Sequence, residues 1–364
     1  MQEVDSSDIS LKLLKKADKK RFPLRALFEL THKCNHKCSY CYIVPEPEKK
    51  ELTTKEVFSI LDGLYNMGTF YLGFTGGEIF MRPDIFDILF YAKNKGFEII
   101  LLTNGSLIDE KVADKIEKLS PNKVDITLRG ATKKTFDKIS GISGSFEKVY
   151  RAVDLLKMRS IPLGLKSIII KPNIKEFLKM KELVENLGII FRYDTFISHR
   201  SDGCKVPLNY RILPEEAENL RRKYYPQLFE KYDKDGKLRK KMGIKKNRKV
   251  LFNCGAGKTD VIISPYGEMK TCIDISYPKY NILNGSLEEG WSKIVDFVKN
   301  IKPGPDYKCN SCPLAKYCSW CPARGLLEEG RLDACSSYHR SYAMVLAKLE
   351  GDMRALKKAE KIFS

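Results

Sequence analysis

From about residue 26 the chain alternates short apolar runs with stretches in which apolar residues recur at helical spacing. Segments 26–30, 70–74, 98–103, 123–128, 164–170 and 188–197 read as strands, and 54–66, 84–95, 111–118, 146–158 and 175–186 as amphipathic helices. In the first helix Val57, Ile60, Leu61 and Leu64 form an i, i+3, i+4, i+7 face. Thr53 and Asp84 suit helix starts, and Gly96 and Gly188 suit helix ends. This alternation predicts βαβ units and a parallel sheet. Six units are legible, short of the eight that close a barrel. The division that follows is an N-terminal extension (1–21), an α/β domain (22–198), a connector (199–249), a small cysteine-rich domain (250–340) and a C-terminal helix (341–364, helical over about 342–361). The connector holds a helix over 214–228 and then a lysine-rich stretch. No repeat beyond the βα unit and no low-complexity tract is visible.

Composition changes this picture in two respects. Lys and Arg outnumber Asp and Glu 65 to 46, a net charge of +19 over 364 residues, which suits an anionic partner. The basic residues are interspersed with acids, however, so charge alone does not select nucleic acid. The 11 cysteines say more. Residues 1–20 contain no apolar stretch resembling a signal peptide, and no apolar run reaches membrane-spanning length. The expected location is the cytoplasm, where clustered cysteines point to metal rather than to disulfides. With only four histidines (His32, His36, His199 and His339), a His-based zinc hydrolase or a Ser/His nucleophile finds little support.

Directly after the first strand come Cys34, Cys38 and Cys41. Three thiolates at this spacing on one loop can hold an iron–sulfur cube and leave one iron without a protein ligand. The alternative is a structural cluster or zinc site completed by a cysteine from elsewhere. Thr75-Gly76-Gly77-Glu78, Thr103-Asn104-Gly105 and Thr127-Leu128-Arg129-Gly130 end the next three strands, at the carboxyl edge where parallel sheets place ligands. Paired glycines allow close backbone approach to a ligand, and Glu78 can accept hydrogen bonds from an ammonium. Seven more cysteines follow: Cys254, Cys272, Cys309, Cys312, Cys318, Cys321 and Cys335. A zinc ribbon is the competing reading, but seven ligands exceed one zinc and the gap between the two CxxC pairs is short for a ribbon. Cys204 fits neither group and reads as an incidental thiol. The string beginning at Cys254 looks like the end of a phosphate-binding loop, but Phe252 stands where that loop needs glycine.

With these residues in place, the chain resembles the radical S-adenosylmethionine (SAM) enzymes. Cys34, Cys38 and Cys41 match their CxxxCxxC loop, and Gly76, Gly77 and Glu78 their Gly-Gly-Glu motif. The resemblance covers roughly residues 22–198 and implies a partial (βα)6 TIM-like barrel with a [4Fe-4S] cluster at its mouth. SAM would chelate the vacant iron, with its ammonium held at the Gly76–Glu78 edge and its adenine near Tyr40. Asn104, Thr127 and Ser167 would contact ribose or the methionyl group, or serve only as strand ends. One-electron reduction of SAM to a 5′-deoxyadenosyl radical, which abstracts hydrogen from substrate, is the implied chemistry. The tail is similar to the SPASM extension of peptide- and protein-modifying members. That similarity implies two auxiliary clusters, one held by Cys309, Cys312, Cys318 and Cys335, the other by Cys254, Cys272 and Cys321. The full pattern has a further cysteine soon after the first, absent here, and the Cys318–Cys321 spacing is one residue shorter than in the sulfatase-maturing members. The inner cluster therefore has an open iron, able to bind a substrate thiolate, or a noncysteine ligand, or fewer irons.

The resemblance implies oxidative modification of a peptide or protein, as a thioether or carbon–carbon crosslink, with Arg129, Arg192, Asp194 and Arg200 either facing substrate or salt-bridged at the rim. An acidic flavodoxin or ferredoxin would donate electrons, and neither nucleic acid nor membrane is expected as a partner. Only about 25 residues precede the first strand, too few for a leader-binding winged helix. The peptide would thus need a separate recognition protein or direct capture on the basic surface. The alternatives are a tetrapyrrole-modifying enzyme of haem synthesis and, from a different class, a noncatalytic iron–sulfur electron carrier or basic RNA-binding module. The last leaves Gly76–Glu78 and the unligated iron without a role.

Overall fold

The computed structural model describes residues 6–200, 202–225 and 249–363. Helix α1 (Ser6–Lys20) precedes the first strand, β1 (Arg25–Thr31). There follow α2 (Thr54–Asn66), β2 (Tyr71–Gly76), α3 (Ile85–Asn94), β3 (Glu98–Thr103), α4 (Glu110–Leu119), β4 (Lys123–Thr127), α5 (Lys133–Ser140), α6 (Ser145–Met158), β5 (Leu163–Ile168), α7 (Phe177–Asn186) and β6 (Arg192–Asp194). Each strand β1 to β6 pairs in parallel with the next, giving the expected six-unit open barrel. The alternation along the strands decides what faces what. Phe28, Leu72, Phe74, Ile99, Leu101, Val124 and Ile126 are buried under the helices. Helix α2 buries the four residues anticipated for it and opens on a capping box between Thr53 and Glu56.

Beyond α8 (Pro214–Tyr224), residues 226–248, which include the end of the expected helix and most of the lysine-rich stretch, lie outside the described residues. The tail then returns to the same sheet. Strand β7 (Asp260–Ile263) pairs in parallel with the free side of β1, and β8 (Glu268–Cys272) and β9 (Ile275–Asn281) add antiparallel strands to give the order β6-β5-β4-β3-β2-β1-β7-β8-β9. The Arg25 guanidinium bonds both carboxylate oxygens of Asp260 across the β1–β7 junction. Helices α9 (Leu287–Asn300), α10 (Pro322–Glu329), α11 (Ser337–Leu349) and α12 (Met353–Phe363) complete the described chain.

Beyond α1, α9, α10 and β7 to β9, for which no element was expected, three further elements differ from expectation. Strand β6 is three residues rather than ten, because the Asp194 carboxylate turns back to accept the Thr195 and Phe196 N–H groups and ends the ladder. Helix α5 was not anticipated; Thr132 caps it, and it buries only Phe136, Ile139 and Ser140. The helix expected over 342–361 is two helices, broken at left-handed Gly351, after which the Asp352 carboxylate accepts the Ala355 N–H. Phe74 is fully buried and stacks on Phe28 at 6.4 Å. Phe74→Ala should therefore destabilise the protein by about 3–5 kcal/mol, read from the urea midpoint under anaerobic conditions.

Candidate active site and cluster-binding cysteines

The carboxyl ends of β1 to β5 surround a cavity of about 420 Å³, within the range that holds a cofactor-sized molecule. Cys34, Tyr40, Cys41, Gly76, Gly77, Asn104 and Thr127 line it together with Cys38 and Arg129. The cysteine loop is held from two sides. On one, the Gly77 and Glu78 N–H groups donate to the carbonyls of Thr31 and Lys33 at 2.8 and 2.9 Å. A Cβ on Gly76 would lie 2.2 Å from the Thr31 carbonyl oxygen, and one on Gly77 2.2 Å from that of Lys33. Gly76 also has φ +134°, open only to glycine. The glycine pair thus lets the end of β2 press against the start of the cysteine loop. On the other side, the Lys37 and Ser39 N–H groups donate to Ser140 and Ile139 at the end of α5.

Each of the three sulfurs has an N–H donor. Arg129 Nε donates to Cys38 Sγ at 3.1 Å, the His36 N–H reaches Cys34 Sγ at 3.4 Å, and the Ile43 backbone N–H serves Cys41. Such donors favour thiolates, as cluster ligands must be. Burial works against this, pushing the Cys34 and Cys41 thiols up, while the surrounding thiolates hold the buried Arg129 charged. Burial also lifts the Tyr40 hydroxyl to about 12 and lowers His36 to about 4. An uncharged ring and a neutral phenol thus stand beside the cysteines.

Glu78 is placed differently from expectation. It is fully buried outside the cavity lining, and its carboxylate accepts from Thr103 Oγ1 and the Asn104 N–H, both at 2.7 Å, and from the Phe80 N–H. Burial pushes its carboxyl up despite these bonds. It braces β3 against β2, so the edge that faces the cavity is Thr75, Gly76 and Gly77. Ser167 points away, its hydroxyl against Met180 Sδ at 3.7 Å under α7. The strand's alternation turns Lys166 and Ile168 inward instead, and burial lowers the Lys166 ammonium. Of the four residues expected to face substrate, Arg129 alone lines the cavity. Arg192 pairs with Asp125 at 2.5 Å, Asp194 caps its own turn, and Arg200 pairs with Asp202 at 3.0 Å. Phe196, Ile197, Ser198, Asp274 and Arg324 complete the wall. Asp274 and Arg324 come from the cysteine-rich tail, where no motif marked them.

The tail cysteines separate into two places. Cys309, Cys312, Cys318 and Cys335 line one small pocket with Trp320, Arg340 and Phe363, and burial pushes the Cys335 thiol up to about 12. Cys272, at the end of β8, and Cys321, at the start of α10, lie instead within electrostatic reach of Cys254 and of one another; burial pushes Cys272 up to about 12. Cys204 joins neither set. Among the described residues, which include every cysteine, no three His, Cys, Asp or Glu side chains converge closely enough for one metal ion.

An open parallel barrel with three donor-supported thiols at its mouth is the architecture of a cluster-dependent cofactor enzyme. The Radical SAM superfamily sequence model matches residues 28–184, so the chain carries a radical SAM domain and is an enzyme of that chemistry, using a [4Fe-4S] cluster and SAM. It is similar to the antilisterial bacteriocin subtilosin biosynthesis protein AlbA of Bacillus subtilis (strain 168), with 29% identity over 90% of this chain and 72% of AlbA. It is also similar to the AdoMet-dependent heme synthase of Methanosarcina barkeri, with 26% identity over 85% of this chain and 93% of that enzyme. In three dimensions it shares its fold with Streptococcus suis SuiB bound to precursor peptide SuiA, with a TM-score of 0.70 and 15% identity over 92% of this chain and 79% of SuiB. No helix among the described residues is long and apolar enough to cross a membrane. Gly77→Ala should leave the far-ultraviolet circular dichroism intact while first-site iron, roughly 4 atoms per chain, falls severalfold on anaerobic reconstitution.

Proposed function

We propose that this enzyme matures a peptide or protein, removing hydrogen and forming a thioether or carbon–carbon crosslink. The observation that carries this reading is the second cysteine set beside the cavity. Cys272 is joined to the cavity wall through Ile273 and Asp274, and Arg324 follows Cys321 by three residues. A redox centre at that place can take the second electron that a net oxidation must lose. The likeness to AlbA supports a peptide substrate, as does the fold shared with peptide-bound SuiB. A second reading, tetrapyrrole modification, is favoured by the likeness to the heme synthase along nearly all of its length.

When bound, the first cluster and SAM supply a 5′-deoxyadenosyl radical. The protein's residues do the placing. Cys34, Cys38 and Cys41 would hold the cluster, with the Gly76–Gly77 backbone edge at the SAM ammonium and Tyr40, Asn104 and Thr127 along the remainder of SAM. Arg129 orients Cys38 by donating its Nε–H to the sulfur. Leu27, Leu102, Ile168 and Ile197 present apolar wall that excludes water, which a radical site requires. Cys254, Cys272 and Cys321 would hold the inner auxiliary cluster, and Cys309, Cys312, Cys318 and Cys335 the outer one. An acidic flavodoxin or ferredoxin would dock on the basic surface.

Anaerobic protein with dithionite and SAM should release 5′-deoxyadenosine, and Cys38→Ala should abolish the release; persistence in that variant would defeat the reading. Incubation with a cysteine-containing precursor peptide should give a product lighter by two hydrogens per crosslink, by mass spectrometry. Turnover of an iron tetrapyrrole in place of the peptide would establish the second reading. Reduction by an acidic donor should slow severalfold between low and physiological salt, and a salt-independent rate would remove the basic surface from donor docking.

A further inference from the structure

Cys254, Cys272 and Cys321 provide three ligands where a closed four-iron cluster needs four. No fourth thiol is at hand. Cys34, Cys38 and Cys41 line the main cavity, Cys309, Cys312, Cys318 and Cys335 share the outer pocket, and Cys204 lies in a turn closed by its carbonyl accepting from the Arg200 N–H. A carboxylate is nearby instead. Asp274 stands at the bend between β8 and β9, where Cys272 pairs directly with Ile275, so the two intervening residues fold back tightly. Its N–H donates to the Cys272 sulfur. Its side chain is half-buried, in the wall of the 420 Å³ cavity next to Ile273 and Arg324. Among the described residues its carboxyl accepts no hydrogen bond; the Arg324 charge is the single cation acting on it. With one cation acting on it and no hydrogen bond to its oxygens, this carboxylate keeps lone pairs available to a metal.

We infer that Asp274 is the fourth ligand of the inner auxiliary cluster, with a carboxylate oxygen completing the three thiolates of Cys254, Cys272 and Cys321. The inference rests on the proposed reading that those three cysteines hold a cluster. It answers which of the alternatives left by the missing cysteine applies: the inner cluster is closed in the resting protein, by a noncysteine group. Asp274 belongs to the cavity wall, so the residue that would close the cluster borders the substrate space. A carboxylate donates less electron density than a thiolate, so this cluster is easier to reduce than an all-cysteine one.

The test uses the full chain with Cys34, Cys38 and Cys41 replaced by Ala, reconstituted with iron and sulfide so that the two tail clusters remain, roughly 8 iron atoms per chain. Low-temperature electron paramagnetic resonance of the reduced protein is recorded with and without 2-mercaptoethanol. The parent spectrum should ignore the thiol, whereas Asp274→Ala should keep its iron and acquire a thiol-dependent signal. Asp274→Cys should also keep its iron, ignore the thiol and show a more negative midpoint potential. An Asp274→Ala spectrum that matches the parent with and without thiol would overturn the assignment, as would a parent that already responds to thiol. If Cys272→Ala in the same background loses no iron, the inner cluster itself is absent and the underlying reading falls with it.

Discussion

Two backbones in near contact hold the site together. The end of β2 lies so close to the first residues of the cysteine loop that Gly76 and Gly77 have no room for a Cβ, and the resulting pair of N–H···O bonds joins Thr31 and Lys33 to the second strand. Two carboxylates reinforce the join from beneath. Glu51 accepts from the Thr31 hydroxyl and the His32 N–H, and Glu78 gathers Phe80, Thr103 and Asn104. The ends of β1, β2 and β3 therefore behave as one rigid rim. A cluster tolerates little variation in where its thiolates stand, so a loop carrying three of them needs this kind of support.

The strand–helix alternation was legible because each strand is apolar on a buried face and each long helix has a clear stripe. Helix α5 escaped notice because two turns with three buried residues make a weak periodic signal, although Thr132 and the Phe136–Ile139 spacing were there to be read. The consequence is functional, since α5 anchors the middle of the cysteine loop. The same physics explains Ser167 and Lys166. Once Thr127 was accepted as facing the cavity, the pairing of Thr127 with Lys166 made Lys166 its inward neighbour and sent Ser167 to the helix side. Strand parity, not side-chain chemistry, sets which way Ser167 faces.

The Gly-Gly-Glu motif was recognised for its association with ligand binding, but its residues divide the work otherwise than expected. The glycines serve the contact between loops first, and the glutamate never reaches the cavity. Asp274 and Arg324 were out of reach of any motif, because they become neighbours of the cavity rim only through β7 returning to β1. That long-range parallel pairing has no local sequence signature beyond a short apolar run.

The return of β7 also fixes how the cysteine groups are disposed. A tail tethered by a linker would let its metal sites wander relative to the first, whereas strands sharing a ladder set their separation through backbone hydrogen bonds. Within the tail the spacing of Cys318 and Cys321 then acquires a purpose. Trp320, buried between them, donates its Nε1–H to the Ala334 carbonyl at 2.7 Å. Cys318 is left facing the outer pocket as the chain ends a short 3-10 turn, while Cys321, one residue past the anchored indole, starts α10 on the side of Cys272. One tethered indole thus sends two cysteines three residues apart into two different cysteine groups, as the proposed assignment of two auxiliary clusters requires.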